Sequence, residues 1–279
     1  MAAVTAWPEL LTAYHEARVG KRRSRAVDAW FGDSEGRLLA LQRELREGYR
    51  FGPYQTFTIR DVKPRLIAAA PFRDRVVHHA IVRVVGSAIE RRLTPACVAC
   101  RRGLGGGEAR RRLLAACRSA KAVWYAKCDI RGYFASIRHD VLLAQLLPRC
   151  GDAWAEALLT ALVGSWHTKA SPGRGIPIGN LTSQLFANAH LAGVDQYMQR
   201  TARARGYLRY VDDMVWFADD RDALRRQLDG LSVRLDALGL ALHPRKTRIG
   251  RYLQGMRSTV ALFQAARATK LLAARGLAW

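Results

Sequence analysis

Long apolar stretches are missing from this 279-residue chain. No segment reaches the roughly 18 consecutive apolar residues of a membrane helix, so we expect neither a membrane span nor a membrane partner. The first residues, Met1–Trp7, have neither the charged region nor the apolar run of a signal peptide. The sequence therefore predicts a cytoplasmic protein.

Cysteine is also scarce, with five residues in the whole chain, and a reducing compartment would keep them as thiols. Cys97 and Cys100 have the spacing of half a zinc site, but no second Cys/His pair follows at ligand spacing. Ordinary thiols are therefore favoured. The Gly- and Arg-rich stretch Arg101–Arg112 lacks the Gly-Lys-Ser/Thr ending of a phosphate-binding loop and is interpreted as a flexible basic loop.

Acidic residues are few relative to basic ones. The chain has 23 Asp and Glu against 46 Lys and Arg, which gives a net charge of +23. Such an imbalance implies a polyanionic partner, since the chain otherwise repels itself. The basic residues are mostly arginine, which suits bidentate phosphate contacts, and they are spread along the chain. Nucleic acid is therefore a better candidate than a membrane surface.

Hydrophobic spacing predicts a mixture of helices and strands. Helices are expected at Leu38–Leu45, Arg73–Ile89, Ser183–Met198 and Leu224–Leu238, and strands at Thr56–Ile59, Arg65–Ala69, Val123–Ile130 and in both halves of Leu208–Ala218. Two of these strand pairs are close enough in sequence to form hairpins. The pattern indicates an α+β fold rather than a doubly wound parallel sheet.

Two adjacent acids, Asp212 and Asp213, interrupt the apolar run Leu208–Phe217. They are expected at the tip of a hairpin, where Gly or Asn is usual. Neighbouring carboxylates repel each other and are costly to desolvate, so a divalent cation is the natural compensation. The nearby pair Asp219 and Asp220 has a structural explanation, because it precedes a helix and can cap its N-terminus.

A third acid, Asp129, ends the predicted strand Val123–Ile130 and is followed by the aromatic residues Tyr133 and Phe134. This position is unusual for a solvated surface acid. Three carboxylates that hold two hard cations could activate a primer 3′-hydroxyl and stabilise a leaving pyrophosphate.

These motifs resemble those of reverse transcriptases. Tyr210-Val211-Asp212-Asp213 is similar to the signature hairpin of the family, and Asp129 with Phe134 resembles its first metal-binding motif. Pro71–Val77 and Leu238–Thr247 resemble two further blocks in the same order.

The resemblance implies a right-hand polymerase with fingers and palm, an antiparallel palm sheet that carries the hairpin, and a short or missing thumb. The expected domains are residues 1–110 (N-terminal region and fingers), 111–250 (palm with an interleaved fingers segment) and 251–279 (a short primer-grip or thumb remnant).

The resemblance also implies roles for individual residues. Two Mg²⁺ ions, for which Mn²⁺ could substitute, would be held by Asp129, Ile130, Asp212 and Asp213. Lys246 would protonate the pyrophosphate, and Phe134 would exclude a 2′-hydroxyl. The other residues that would contact the dNTP are Lys63, Arg65, Ile178, Gly179 and Gln184.

The segment Gly175–Gln184 carries the subtype signal. It has Ile178-Gly179 where group II intron and retroviral enzymes usually have Gln-Gly, and Ser183-Gln184 follows. This form resembles reverse transcriptases of bacterial and phage diversity-generating retroelements. The resemblance implies primed copying of a template-repeat RNA with errors at adenines, mutagenic retrohoming and a small basic accessory protein.

Other functions remain open at this point. The chain could be a retron-type or group II intron-like reverse transcriptase, or a catalytically decayed RNA-binding protein on the same scaffold. The three aspartates, Phe134 and Lys246 argue against decay, because RNA binding alone would not need them.

Overall fold

The computed structural model describes residues 3–19, 27–28, 30, 32–60, 64–101, 103–104, 106–119, 124–149, 152–168 and 171–251. The described chain forms two compact units. The first comprises residues through Ile89 together with His139–Phe186, and the second comprises Glu90–Arg138 and the described residues from Ala187 onward. Lys63 and the predicted C-terminal remnant after residue 251 lie outside the described residues. None of the described helices is both long and apolar enough to cross a bilayer.

The secondary structure alternates between helices and strands, as the sequence predicts. In chain order the elements are α1 (Trp7–Arg18), α2 (Ser34–Glu47), β1 (Gln55–Arg60), β2 (Pro64–Ala69), α3 (Phe72–Glu90), α4 (Gly106–Ser119), β3 (Trp124–Asp129), α5 (Tyr133–Ser136), α6 (His139–Leu146), a 3₁₀ turn (Leu147–Arg149), α7 (Ala153–Gly164), α8 (Leu181–His190), α9 (Ala192–Gln196), a π-helical turn (Tyr197–Thr201), β4 (Arg205–Tyr210), β5 (Asp213–Ala218), α10 (Arg221–Asp236) and β6 (Arg248–Arg251).

The first unit carries the predicted β1–β2 hairpin, which is antiparallel with Gln55 opposite Ala69. Helix α3 is held near this hairpin through Asp74, which is 1% exposed. Its carboxylate accepts hydrogen bonds from the Tyr49 hydroxyl at 2.6 Å and the Gly52 amide at 2.8 Å. Because a buried carboxylate is costly without such donors, these bonds fix the segment that enters β1.

The second unit contains a four-stranded antiparallel sheet in the order β4-β5-β3-β6. Helix α10 begins at the Asp220 cap, whose side chain accepts a hydrogen bond from the Ala223 amide at 2.6 Å. Leu224, Leu231 and Leu235 of this helix are fully buried. The predicted leucine-striped helix and its acidic cap are therefore confirmed.

Helix α4 corrects one expectation, because part of the predicted basic loop Arg101–Arg112 is helical from Gly106 onward. Glu108 accepts hydrogen bonds from both Arg111 and Arg112, which supports the first turns. The helix buries Ala109, Leu113 and Cys117 in one cluster with strands β4 and β5. Apolar burial at helical spacing thus outweighs the loop-forming tendency of the glycines.

The predicted helix Ser183–Met198 is also corrected. It begins earlier, at Leu181, and is interrupted at Leu191, where φ is −96° and ψ is 4°. A π-helical turn from Tyr197 to Thr201 follows α9. Apolar spacing alone does not reveal this break.

Buried histidine predicts a pH dependence of stability. His78 of α3 is 1% exposed, and burial, with help from His79 and Arg75, lowers the pKa of its imidazole to about 3. Below pH 6.5 the unfolded chain therefore binds a proton that the folded chain excludes. This contribution to stability is present above pH 6.5 and is lost as the pH falls, by up to about 1.4 kcal/mol per pH unit.

We expect His78→Leu to flatten this dependence between pH 7.5 and pH 5, as measured by urea unfolding at each pH. His167→Leu is the matched control, because His167 is exposed. Equal pH slopes for the parent and His78→Leu would contradict the prediction.

Candidate active site

The tip of the β4–β5 hairpin is Val211-Asp212, because β4 ends at Tyr210 and β5 begins at Asp213. The expectation that both acids form the tip is therefore wrong by one residue. Val211 has φ +59°, a left-handed conformation that β-branched residues rarely adopt. Such a backbone costs about 1–3 kcal/mol and persists only where the surroundings impose it.

Asp129 and Asp213 occupy directly opposite positions of the paired strands β3 and β5. Their exposed fractions are only 6% and 8%. Carboxylates that face each other across a strand pair repel. Lys246 donates a hydrogen bond from Nζ to Asp129 Oδ2 at 2.5 Å, and Lys127 Nζ lies 3.7 Å from Asp213 Oδ1. Each facing acid thus has a lysine beside it.

Asp212 is the carboxylate that these lysines compensate least. Burial, Asp213 and Asp129 together raise its pKa to about 7. Burial also raises the pKa of Asp213, although Lys127 opposes the shift. A desolvated set of hard oxygen donors with excess negative charge fits a divalent cation. Within the described residues, no three acidic, histidine or cysteine side chains are arranged as ligands of a single metal ion. The positive charge near the aspartates comes from Lys127 and Lys246.

The loop that carries Lys246 is joined to the end of β3 by backbone hydrogen bonds. The Arg131 amide donates to the Ala241 carbonyl at 2.8 Å, and the His243 amide donates to the Asp129 carbonyl at 2.7 Å. These bonds flank Ile130, which forms an antiparallel bridge with Leu242. The Lys246 amide in turn donates to the His243 carbonyl at 3.1 Å. The position of Lys246 is therefore tied to that of Asp129.

Phe134 lies in the short helix α5, which follows Gly132 in a left-handed conformation (φ +56°). Its ring centroid is 5.7 Å from that of Tyr133. Tyr133 is 2% exposed and donates from its hydroxyl to the Ala187 carbonyl at 2.6 Å. The buried tyrosine therefore anchors the half-buried Phe134 a few residues beyond Asp129.

The other candidate substrate residues lie in the first unit. Arg65 is exposed on β2. The Ile178 carbonyl accepts a hydrogen bond from the Ala68 amide at 3.0 Å, and its side chain packs against Ile59 and Ile67. The segment that contains Ile178 is therefore attached to β2.

Gly179 and Gln184 have unusual local environments. Gly179 has φ +108°, and a Cβ atom there would lie 2.8 Å from Ile67 Cγ2, so a side chain would disturb the attachment to β2. Gln184 is 8% exposed on α8, and its Oε1 has no hydrogen-bond partner among the described residues. A buried acceptor of this kind is available to a donor from outside the chain.

Sequence reasoning missed a buried polar network beneath the hairpin. Arg209 and Asp195 are both fully buried and form an ion pair at 2.7 Å. Burial alone would lower the pKa of Arg209, but Asp195, together with Cys97 and Tyr207, more than reverses this effect. The available signal was the position of Arg209 inside an apolar strand, since a buried charge needs a partner.

The palm-like α+β sheet with its acidic hairpin defines a polymerase-type fold. The family model described as reverse transcriptase (RNA-dependent DNA polymerase) matches residues 60–270. The chain belongs to the reverse transcriptase family. No curated protein sequence matches it significantly.

Two solved structures are similar in fold. Apo telomerase from Candida tropicalis truncated from its C-terminal domain aligns with a TM-score of 0.53 and 11% identity, over 75% of this chain and 52% of that chain. Apo telomerase from Candida tropicalis aligns with a TM-score of 0.52 and 12% identity, over 74% and 45%. The chain thus spans about half the length of these telomerase structures.

The raised pKa of Asp212 predicts a stability effect in the absence of divalent ions. Its contribution is fully present below about pH 4 and is lost as the pH rises through 7. We therefore expect Asp212→Asn to be more stable than the parent at pH 8, by on the order of 2 kcal/mol, and equally stable at pH 4.

The measurement is chemical unfolding in EDTA at both pH values. Asp219→Asn is the control, because this acid is exposed and paired with Arg205, and it should give no gain at pH 8. If Asp212→Asn is no more stable than the parent at pH 8, the pKa of Asp212 is not raised in the folded protein.

Proposed function

We propose that the chain is an RNA-directed DNA polymerase that extends a primer with dNTPs on an RNA template. The observation that carries this proposal is the placement of Asp129 opposite Asp213, with the desolvated Asp212 beside them. Two buried carboxylates and a half-buried one with excess negative charge have little structural value by themselves. They suit a reaction in which cations hold a triphosphate and an attacking hydroxyl.

Asp129, Asp212 and Asp213, with the carbonyl of Ile130, would hold two Mg²⁺ ions, and Mn²⁺ could substitute. Bound there, the ions supply Lewis-acid stabilisation of the attacking and leaving oxygens in an in-line displacement. The proposal assigns the chain's own carboxylates to holding and orienting the reactants.

Lys246 is proposed to give a proton to the leaving pyrophosphate. Its ammonium group donates to Asp129, so it is oriented within the carboxylate cluster. Phe134 is proposed to exclude a 2′-hydroxyl, which selects dNTPs over rNTPs. Arg65, and Lys63 outside the described residues, are proposed to contact the triphosphate, for which exposed basic groups are suited.

The polymerase proposal is tested by Mg²⁺- or Mn²⁺-dependent dNTP incorporation on a primed RNA template. Asp212→Asn/Asp213→Asn should lower incorporation about a thousandfold, because several kcal/mol of transition-state stabilisation is lost. Binding of the RNA should persist, since it depends on the many basic residues.

A matched acid pair provides the control for this experiment. Asp219→Asn/Asp220→Asn should incorporate dNTPs at close to the parent rate, because asparagine caps a helix as well as aspartate does. Equal activity of the parent and the Asp212/Asp213 variant would sink the proposal. RNA binding by the parent without incorporation, in both metals, would favour a decayed scaffold.

Within the family, we propose the diversity-generating type, which makes error-prone cDNA from a template-repeat RNA. The support is Ile178, whose apolar side chain packs against Ile59 and Ile67. An apolar side chain makes no directional contact with a nascent base pair and so does not penalise a misfit. The partners implied are the template RNA, its primer and a small basic accessory protein.

The fidelity hypothesis predicts that Ile178→Gln reduces misincorporation opposite adenine, because an amide can hydrogen-bond the nascent pair or sugar. Sequencing of cDNA made by each variant measures this spectrum. Ile178→Leu is the control and should leave the spectrum unchanged. An unchanged spectrum in Ile178→Gln would reject the role of Ile178, while the polymerase proposal would stand.

A further inference from the structure

Arg209 lies on β4, two residues before the hairpin tip, and none of its side chain is exposed. Its Nε donates to Asp195 Oδ1 at 2.7 Å, and Nη2 donates to Asp195 Oδ2 at 2.7 Å and to the Asn188 carbonyl at 3.2 Å. Its Nη1 donates to Asn188 Oδ1 at 3.1 Å and to the Val211 carbonyl at 2.9 Å. A guanidinium has five N–H groups, so each one has an acceptor.

The acceptors of Arg209 are themselves held in place. Asp195 also accepts a hydrogen bond from the Tyr207 hydroxyl at 2.8 Å. Asn188 Nδ2 donates to the Ala99 carbonyl at 2.8 Å, which fixes the orientation of its amide. The guanidinium therefore has no room to rotate without breaking several bonds, and its bond to Val211 constrains the tip.

We propose that Arg209 is a positioning residue that holds Val211 in its left-handed conformation and thereby sets the direction of Asp212. The Val211 carbonyl and the Asp212 amide belong to one planar peptide group. Fixing the carbonyl from beneath the sheet therefore fixes the backbone from which the Asp212 side chain departs. The role in catalysis rests on the proposed polymerase function, whereas the effect on the tip does not.

A purely structural role for Arg209 predicts a different result from a role at the tip. If Arg209 only completes a buried ion pair, any replacement that keeps the protein folded should leave the tip unchanged. If Arg209 imposes the conformation of Val211, then Val211→Gly should make the tip independent of Arg209. Glycine adopts a positive φ without the steric cost that valine has.

The decisive variant is Arg209→Lys, which keeps a positive charge opposite Asp195 but cannot serve five acceptors in one plane. Hydrogen–deuterium exchange of the Tyr210–Met214 amides, measured without substrate, should accelerate about tenfold or more. The rate of dNTP incorporation should fall about 10- to 100-fold. Adding Val211→Gly to Arg209→Lys should restore most of the rate. The unfolding midpoint of this double variant should stay as far below that of the parent as the midpoint of Arg209→Lys alone.

The control is Arg205→Lys, since Arg205 is on the same strand and forms an exposed bidentate pair with Asp219. It should change neither exchange at the tip nor incorporation. If Arg209→Lys does not fold, Arg209→Met/Asp195→Leu removes both buried charges together and is measured in the same way.

Unchanged exchange at the tip in a folded Arg209 variant would overturn the inference, as would a rate that Val211→Gly does not restore. Faster exchange in Arg209→Lys with no incorporation by the parent would instead support the constraint on the tip and reject the proposed function. The two failures are therefore distinguishable.

Discussion

The antiparallel register of β3 against β5 is the constraint on which the second unit depends. It places Asp129 opposite Asp213 and brings Asp212 beside them, so repulsion and desolvation accumulate at one end of the sheet. Lys127, beside Asp213, and Lys246, beside Asp129, partly offset this negative charge. Lys246 comes from a loop that is bonded to the end of β3. The negative charge of the three aspartates is therefore offset by residues from both the sheet and this loop.

The parts of the fold that local spacing determines could be predicted from the sequence. The β1–β2 hairpin follows from two short strand-like runs that lie close together in sequence, and α10 follows from leucines at helical spacing behind the Asp220 cap. The proximity of Asp129 to the hairpin acids is different, because it depends on long-range strand pairing. The position of Asp129 at the end of an apolar strand and the ordered family motifs indicated it, but neither gives the register.

The errors have a common physical cause, which is that tertiary contacts override local tendencies. Glycines favour a loop near Gly106, yet Leu113 and Cys117 gain enough burial against the sheet to stabilise a helix. The two acids were expected at the tip because they interrupt an apolar run, whereas Val211, a β-branched residue that rarely adopts a left-handed conformation, lies there instead. The bond from Arg209 to the Val211 carbonyl, which no local pattern reveals, offsets that preference.

The buried pair of Arg209 and Asp195 is not explained by stability alone. Replacing a buried ion pair with apolar side chains of similar volume is often neutral or stabilising, because desolvation cancels much of the attraction. The adjacent strand β5 fully buries two large aromatic side chains, Trp216 and Phe217, so this sheet does accommodate bulky groups. What an apolar pair cannot supply is five directed hydrogen bonds, one of which reaches the tip that carries Asp212. Orientation of the hairpin tip by hydrogen bonds therefore explains the buried charge of Arg209 better than its contribution to stability does.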